Sequence, residues 1–171
     1  MDFLILNCNR DFANKNDVPQ TAIFILGISF GIMNGFSRLL CSYLMNKFGF
    51  RILMLVITTI EIIVGTLLFF EVNSAPIFVI FVSLIGACIG GNFVIIALTF
   101  NKIFGLKIGL ELYGISSISI GIANISGPIL TTFIVEENKD YFVAFIIGAS
   151  LSICKLIFLL FFKEEPFSIQ D

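Results

Sequence analysis

The sequence predicts an all-α membrane protein, and three observations carry that. Apolar residues make up 58% of the chain, they gather into five long unbroken runs, and most charges stand between the runs. A soluble domain of 171 residues has too little interior to hide so much apolar surface, so the surrounding solvent must be lipid.

The runs cover 21–45, 52–70, 76–100, 112–135 and 142–162. Each is about long enough to cross a ~30 Å hydrocarbon core at 1.5 Å per residue. Transmembrane strands would instead show short alternating segments. The expected organisation is a polar N-terminal tail or loop over 1–20, a helical bundle over 21–163, and a short C-terminal tail over 164–171. The first twenty residues do not read as a signal peptide, because the patch Phe3–Leu6 is short and nothing basic precedes it.

Composition also narrows the function classes. The formal charge is only −2, which argues against nucleic acid as a partner. Histidine is absent, which removes the usual general base and metal ligand. Cys41, Cys88 and Cys154 fall inside apolar runs and read as small buried hydrophobes. No nucleophile–base or metal constellation is present, so the sequence calls for no enzyme chemistry, cofactor or metal.

The connections alternate in charge. Lys47 and Arg51 lie between the first two runs, Lys102 and Lys107 between the third and fourth, and Lys163 follows the fifth. The opposite connections carry Glu71, and Glu136, Glu137, Lys139 and Asp140. The positive-inside rule then makes the basic loops and the C-terminus cytoplasmic and the N-terminus external. Lys107 and Glu111, four apart, have the spacing of a surface pair.

Within the first run, Gly27, Gly31, Asn34, Gly35, Arg38, Cys41 and Ser42 share one helical side, with Phe30, Met33, Leu40 and Leu44 opposite. Arg38 stands out, because a charge at membrane depth costs at least ~2.5–3.5 kcal/mol and commonly faces a cavity or a partner. A water-accessible path on this face accounts for it. So does snorkelling, although the basic turn is ~12 Å away at 1.5 Å per residue, a long reach for an arginine stem. The fourth run repeats a small and polar stripe in Tyr113, Ser117, Gly121, Asn124 and Gly127, with Pro128 adjoining. Gly121, Gly127 and Pro128 can bend the helix there, and Gly86, Gly90 and Gly91 can admit a close neighbour in the third.

Two further charges are buried by position. Glu61 is central in the second run and Lys155 lies in the fifth, at comparable depth. They can neutralise each other as a buried ion pair. Glu61 can also stay protonated or act as a proton-coupling group, and Lys155 can snorkel.

Several stretches resemble the major facilitator superfamily. Lys47, Gly49 and Arg51, with Asn46 before them, resemble the family's short charged loop between two helices. Asn34-Gly-Phe-Ser-Arg38 is similar to the N-G-x-[GS]-R signature of the oxalate/formate antiporter-like and monocarboxylate-transporter-like branches. Gly90-Gly-Asn-Phe93, Phe104-Gly105, Tyr113-Gly114, Gly121, Gly127-Pro128, Tyr141, Ala144 and Phe145 follow in the same order. The resemblance spans about Ile23 to Phe162.

It implies that the five helices correspond to the last five of twelve, most of a C-terminal six-helix half. Such transporters hold substrate between two halves that rock against each other. The chain would then be a fragment, a truncated product or a degenerate copy, needing the N-terminal half or another chain to complete the cavity. The implied function is alternating-access movement of a small organic anion, with Arg38 as the carboxylate anchor and Asn34, Asn92, Ser117 and Asn124 as polar lining. The alternative is a transport-incompetent protein that scaffolds or regulates a full carrier.

Departures from the family pattern refine this. Asn46 replaces the loop acid and Ser42 the loop glycine, while Ala97 stands where the branch has a proline. Asn34 stands where monocarboxylate carriers often have Asp. Ile120 occupies the place of a lysine in oxalate-type members, and one cation suits a monocarboxylate better than a dicarboxylate.

Overall fold

The computed structural model describes residues 19–70, 75–138 and 142–161, and all of them beyond Pro19 are helical except Gly49 and Gly105. The helical elements are α1 (Gln20–Phe70), α2 (Ala75–Asn138) and α3 (Phe142–Phe161), of which α1 and α2 each join two helices across a kink. The Pro19 carbonyl opens α1 by accepting from the amides of Ala22 and Ile23, at 2.8 and 3.3 Å.

Neither long helix is straight. Gly49 interrupts α1 at φ 78°, ψ 172°, and Gly105 interrupts α2 at φ 76°, ψ 166°. That corner of dihedral space is essentially closed to residues with a Cβ. Each long helix therefore consists of two arms: 20–48 and 50–70 in α1, 75–104 and 106–138 in α2. A Cβ on Gly91 would lie 2.8 Å from Cys41 Sγ and 2.9 Å from Ile57 Cδ1. Sixteen residues of straight helix would hold those two side chains ~24 Å apart. The α1 arms must therefore fold back on each other. Asn101 and Gly109 make a similar close approach across Gly105.

The basic loops expected over 46–51 and 101–111 are thus corrected. Each turn contracts to a single glycine, so the fourth helical segment begins at 106 rather than 112. Lys107 and Glu111 are helical and exposed, and no ion pair joins them. The α2 dihedrals stay helical through Gly121, Gly127 and Pro128, and the break in that helix falls at Gly105. Residues 1–18, Glu71, Lys139, Asp140, Tyr141 and 162–171 lie outside the described residues, whereas Glu136 and Glu137, expected in a connection, fall in the last turn of α2.

Two contacts fix the register of the first arms. Ser29 Oγ meets Ser83 Oγ at 2.7 Å, and Thr99 Oγ1 donates to Met45 Sδ at 4.0 Å, both pairs 54 positions apart. The arms 20–48 and 75–104 therefore run parallel, and the turns at Gly49 and Gly105 lie at the same end. Lys47, Arg51, Lys102 and Lys107 share that end. The arm 50–70 runs antiparallel to α3: Arg51 meets Leu160, and ten residues further on Glu61 meets Lys155.

The core gathers where these pieces cross. Cys41 and Met45, Leu53, Met54 and Ile57, Cys88 and Ile95, and Leu159 pack into one buried cluster. Among the described side chains the arm 106–138 adds none to it, and Leu106, Ile115, Ile118, Ile122 and Ile125 on it are exposed. With Phe24, Leu39, Phe158 and Phe161 also exposed, the outer surface is apolar over far more area than water tolerates. Gln20–Leu67 and Pro76–Gly127 are each long and apolar enough to cross a membrane, and Ser150–Phe161 is a shorter apolar helix.

Candidate functional site

Two polar clusters interrupt this apolar bundle. The first is built on the arm 20–48. Asn34 Nδ2 donates to the Gly86 carbonyl at 3.1 Å, tying the two parallel arms together. The other end of the amide, Oδ1, accepts from Arg38 Nε at 3.2 Å. The arginine carbon Cζ stands 5.7 Å from the centre of the Phe93 ring, within cation–π range. Arg38 is thus held by an amide on its own helix and a ring on the next. It stays exposed, and no carboxylate pairs with it among the described residues.

Close approach of the two arms makes this possible. A Cβ on Gly86 would sit 2.6 Å from the Phe30 ring, and one on Gly90 would fall on the Asn34 carbonyl oxygen and the Ser37 hydroxyl. Ser37 is buried and donates to the Asn34 carbonyl at 2.9 Å. The face expected on this arm is therefore divided. Asn34, Cys41 and the neighbouring Ser37 turn toward the next helix, while nothing lies within contact of a Cβ at Gly27, Gly31 or Gly35. Phe30, assigned to the opposite side, packs on Gly86.

The second cluster joins three segments. Asn92 Nδ2 donates to Glu61 Oε1 at 2.5 Å. Lys155 Nζ lies 3.1 Å from Glu61 Oε2, 3.4 Å from Oε1 and 3.4 Å from Asn92 Oδ1. Glu61 is 2% exposed, whereas the Lys155 side chain is 31% exposed. Glu61 stands ten residues past Arg51, or ~15 Å along the arm, half of a ~30 Å apolar core. A carboxylate at that depth needs both a cation and donors for its remaining lone pairs, and it has them.

Between the clusters lies a cleft of about 190 Å³ lined by Met54, Ile89, Asn92, Phe93, Ile96, Ile120 and Lys155. Phe93 belongs to both places, under Arg38 and in the cleft wall. Ser117 bonds to its own helix, donating to the Tyr113 carbonyl at 2.8 Å, and Asn124 is exposed. Neither is brought to Arg38 by a hydrogen bond. In the turn, Asn46 and Lys47 are exposed, Lys47 Nζ lies 5.4 Å from the Phe48 ring centre, and Arg51 Nη2 donates to the Leu160 carbonyl at 2.8 Å.

A family model of the major facilitator superfamily matches residues 10–170, nearly the whole chain. The chain belongs to the major facilitator superfamily. No curated protein and no solved structure was found to match it. Membership in this family of transporters, together with the long apolar helices, makes the chain an integral membrane protein.

In a superfamily protein the two clusters are not equivalent. Among the described residues the Arg38 cluster leaves its charge unneutralised and its surface open. The Glu61 cluster pairs its charges internally, with Asn92 hydrogen-bonded to Glu61 while it also lines the cleft. Sequence spacing placed Asn34 one turn from Arg38, but it did not reveal Phe93 as the surface on which the guanidinium rests. Nor did it reveal Ser37 or the Gly86 carbonyl. The available signal for them was the glycine pair Gly86 and Gly90, which brings that arm close.

Proposed function

We propose that the chain forms part of a solute carrier that moves a small organic anion, a monocarboxylate foremost, by alternating access. Five membrane passes, divided at Gly49 and Gly105 and at the two connections between helices, fit this reading. The end carrying Lys47, Arg51, Lys102 and Lys107 is then cytoplasmic.

The observation that carries the proposal is Arg38, a guanidinium in an apolar helix with an amide and a ring for company and, among the described residues, no acid. Its Nη donors form a planar fork suited to a carboxylate, and a charge left open at membrane depth otherwise only costs stability. Asn34 fixes the direction of the fork, and Phe93 supports its face. Ser117 and Asn124 belong to the proposed path as secondary polar lining. Further helices, from a longer chain or a partner, supply the opposite wall in this reading, and the open faces of Gly27, Gly31 and Gly35 leave room for a close neighbour.

The test is uptake of labelled monocarboxylates by the complete carrier bearing Arg38→Lys or Arg38→Ala. Loss in the alanine variant with partial retention in the lysine variant is expected. Unchanged transport in both would remove Arg38 from the mechanism.

A further inference from the structure

We infer that the end of the bundle holding the turns at Gly49 and Gly105 is a docking site for one anionic phospholipid, whose phosphate meets Lys47, Arg51, Lys102 and Lys107 together. Arg38 lies nine residues before Lys47, ~14 Å along the same arm, and its proposed role has no part in this site.

The two turns assemble the patch. Each cation stands only two or three residues from its glycine and on helix, so ~3–4.5 Å of helical rise fixes it at that end. The contact between Met45 and Thr99 sets a register of 54 between the parallel arms. Lys102 is therefore within one residue of the level of Lys47 on the neighbouring helix. Packed helices stand ~8–10 Å apart, a gap that two flexible lysine stems can close around one phosphate. Arg51 is already anchored, and its bond to the Leu160 carbonyl uses one of five guanidinium N–H donors.

The patch lacks a counter-charge. Lys47, Lys102 and Lys107 are exposed, and no ion pair engages any of the four cations among the described residues. The acid nearest to them in sequence among those residues is Glu111, six residues past Gly105 and so ~9 Å into its arm. Asn46, exposed beside Lys47, is neutral and adds amide donors. Four like charges gathered at one end repel, and a bound anion relieves that repulsion.

Apolar residues beside the cations decide for a lipid over a soluble phosphate. Phe48, Phe104 and Leu106 are exposed next to the lysines, and Phe161 is exposed next to the Leu160 carbonyl that Arg51 holds. A soluble anion leaves those side chains bare, whereas a phospholipid covers them with its chains while its phosphate meets the charges. Ethanolamine and choline headgroups would bring an ammonium into this basic patch, with only Glu111 to receive it. A headgroup without an ammonium, such as phosphoglycerol, therefore fits best.

The experiment is native mass spectrometry of the full chain in detergent, titrated with dioleoyl phosphatidylglycerol or dioleoyl phosphatidylcholine. Wild type should retain one phosphatidylglycerol, at a concentration about tenfold below that needed for phosphatidylcholine. Lys47→Gln, Lys102→Gln and Lys107→Gln should each weaken phosphatidylglycerol about fivefold and leave phosphatidylcholine unchanged. The triple glutamine variant should lose the preference, the triple arginine variant should keep it, and Glu111→Gln should strengthen it. Excess glycerol 3-phosphate at fixed ionic strength should leave the lipid in place.

Equal retention of the two lipids by wild type, a preference that survives the triple glutamine variant, its loss in the triple arginine variant, or its weakening by Glu111→Gln would each overturn the site. Displacement by glycerol 3-phosphate would overturn the lipid as occupant, by assigning the patch to a soluble anion. Transport that ignores Arg38 variants would leave these results standing, so the two proposals fail separately.

Discussion

Arg51 reaches from the turn at Gly49 to the last turn of α3, where its Nη2 donates to the Leu160 carbonyl at 2.8 Å. The bond uses one of the four carbonyls that every helix end leaves without an intrahelical partner, and it places a cation at the negative end of the helix dipole. It ties the first reversal of the chain to its last described helix. Arg51→Gln should cost only about 0.5–1.5 kcal/mol, because the bond is at the surface. Its clearer effect should be geometric. Spin labels at Lys47 and Phe161 should give a narrow distance distribution in wild type and a broader one in Arg51→Gln. Equal widths would mean that packing alone positions the end of α3.

The glycines divide into two classes that substitution can separate. Gly90 faces the Asn34 carbonyl and Ser37, with backbone in the way of any added methyl, whereas Gly31 faces open space. Gly90→Ala should destabilise by about 1–3 kcal/mol through overpacking. Gly31→Ala should be neutral, or stabilising by up to about 1 kcal/mol through helix propensity. Thermal unfolding followed with a thiol-reactive dye reads both once Cys8 and Cys154 are replaced by serine, since Cys41 and Cys88 are buried in the fold whereas Cys154 is exposed. A Gly31→Ala variant as damaged as Gly90→Ala would show that another surface covers Gly31.

Much of this was legible in the sequence, for a physical reason. Lipid requires continuous apolar runs with internally satisfied backbone, so helix existence follows from composition alone. Charge depth follows from counting residues, and equal depth suggested that Glu61 and Lys155 could neutralise each other. Helix ends were less legible. A cluster of Asn46, Lys47, Gly49 and Arg51 reads as a loop, yet one glycine at positive φ reverses the chain and leaves its neighbours helical. Partners across helices were least legible. The periodicity that places Gly27, Gly31 and Asn34 on one stripe says nothing about which of them meets a neighbour, and only Asn34 does through a hydrogen bond to Gly86. Asn92, expected as lining, does line the cleft, but its hydrogen bond to Glu61 was not legible from spacing.

Gly49 and Gly105 give a sharper stability test. Both combine φ near +77° with ψ near 170°, where a Cβ meets its own backbone. At Gly105 no neighbouring atom approaches the Cβ position, so the penalty there is purely conformational. Gly105→Ala should therefore cost about 1–3 kcal/mol without any packing defect. For a chain of this size that corresponds to a melting shift of roughly 2–4 °C per kcal/mol. An unshifted midpoint would mean that the turn relaxes to ordinary dihedrals at no cost.

The Glu61–Lys155 pair should respond unequally to loss of either member, because burial is unequal. Lys155→Met leaves a carboxylate at 2% exposure with one amide donor, and removal of one partner from a buried pair costs about 3–5 kcal/mol. Glu61→Gln leaves an ammonium on a long stem already one-third exposed, which can turn into the cleft. It also retains an oxygen to accept from Asn92, so its cost should be nearer 1–2 kcal/mol, about one modest hydrogen bond. The combined variant should be more stable than Lys155→Met alone, since it removes the stranded charge. Unfolding midpoints of the three variants in one detergent form a double-mutant cycle whose coupling term isolates the pair. Additive costs would mean that Glu61 and Lys155 stabilise the bundle independently, and a larger loss from Glu61→Gln than from Lys155→Met would mean that the ammonium, not the carboxylate, is the costly charge to leave unpaired.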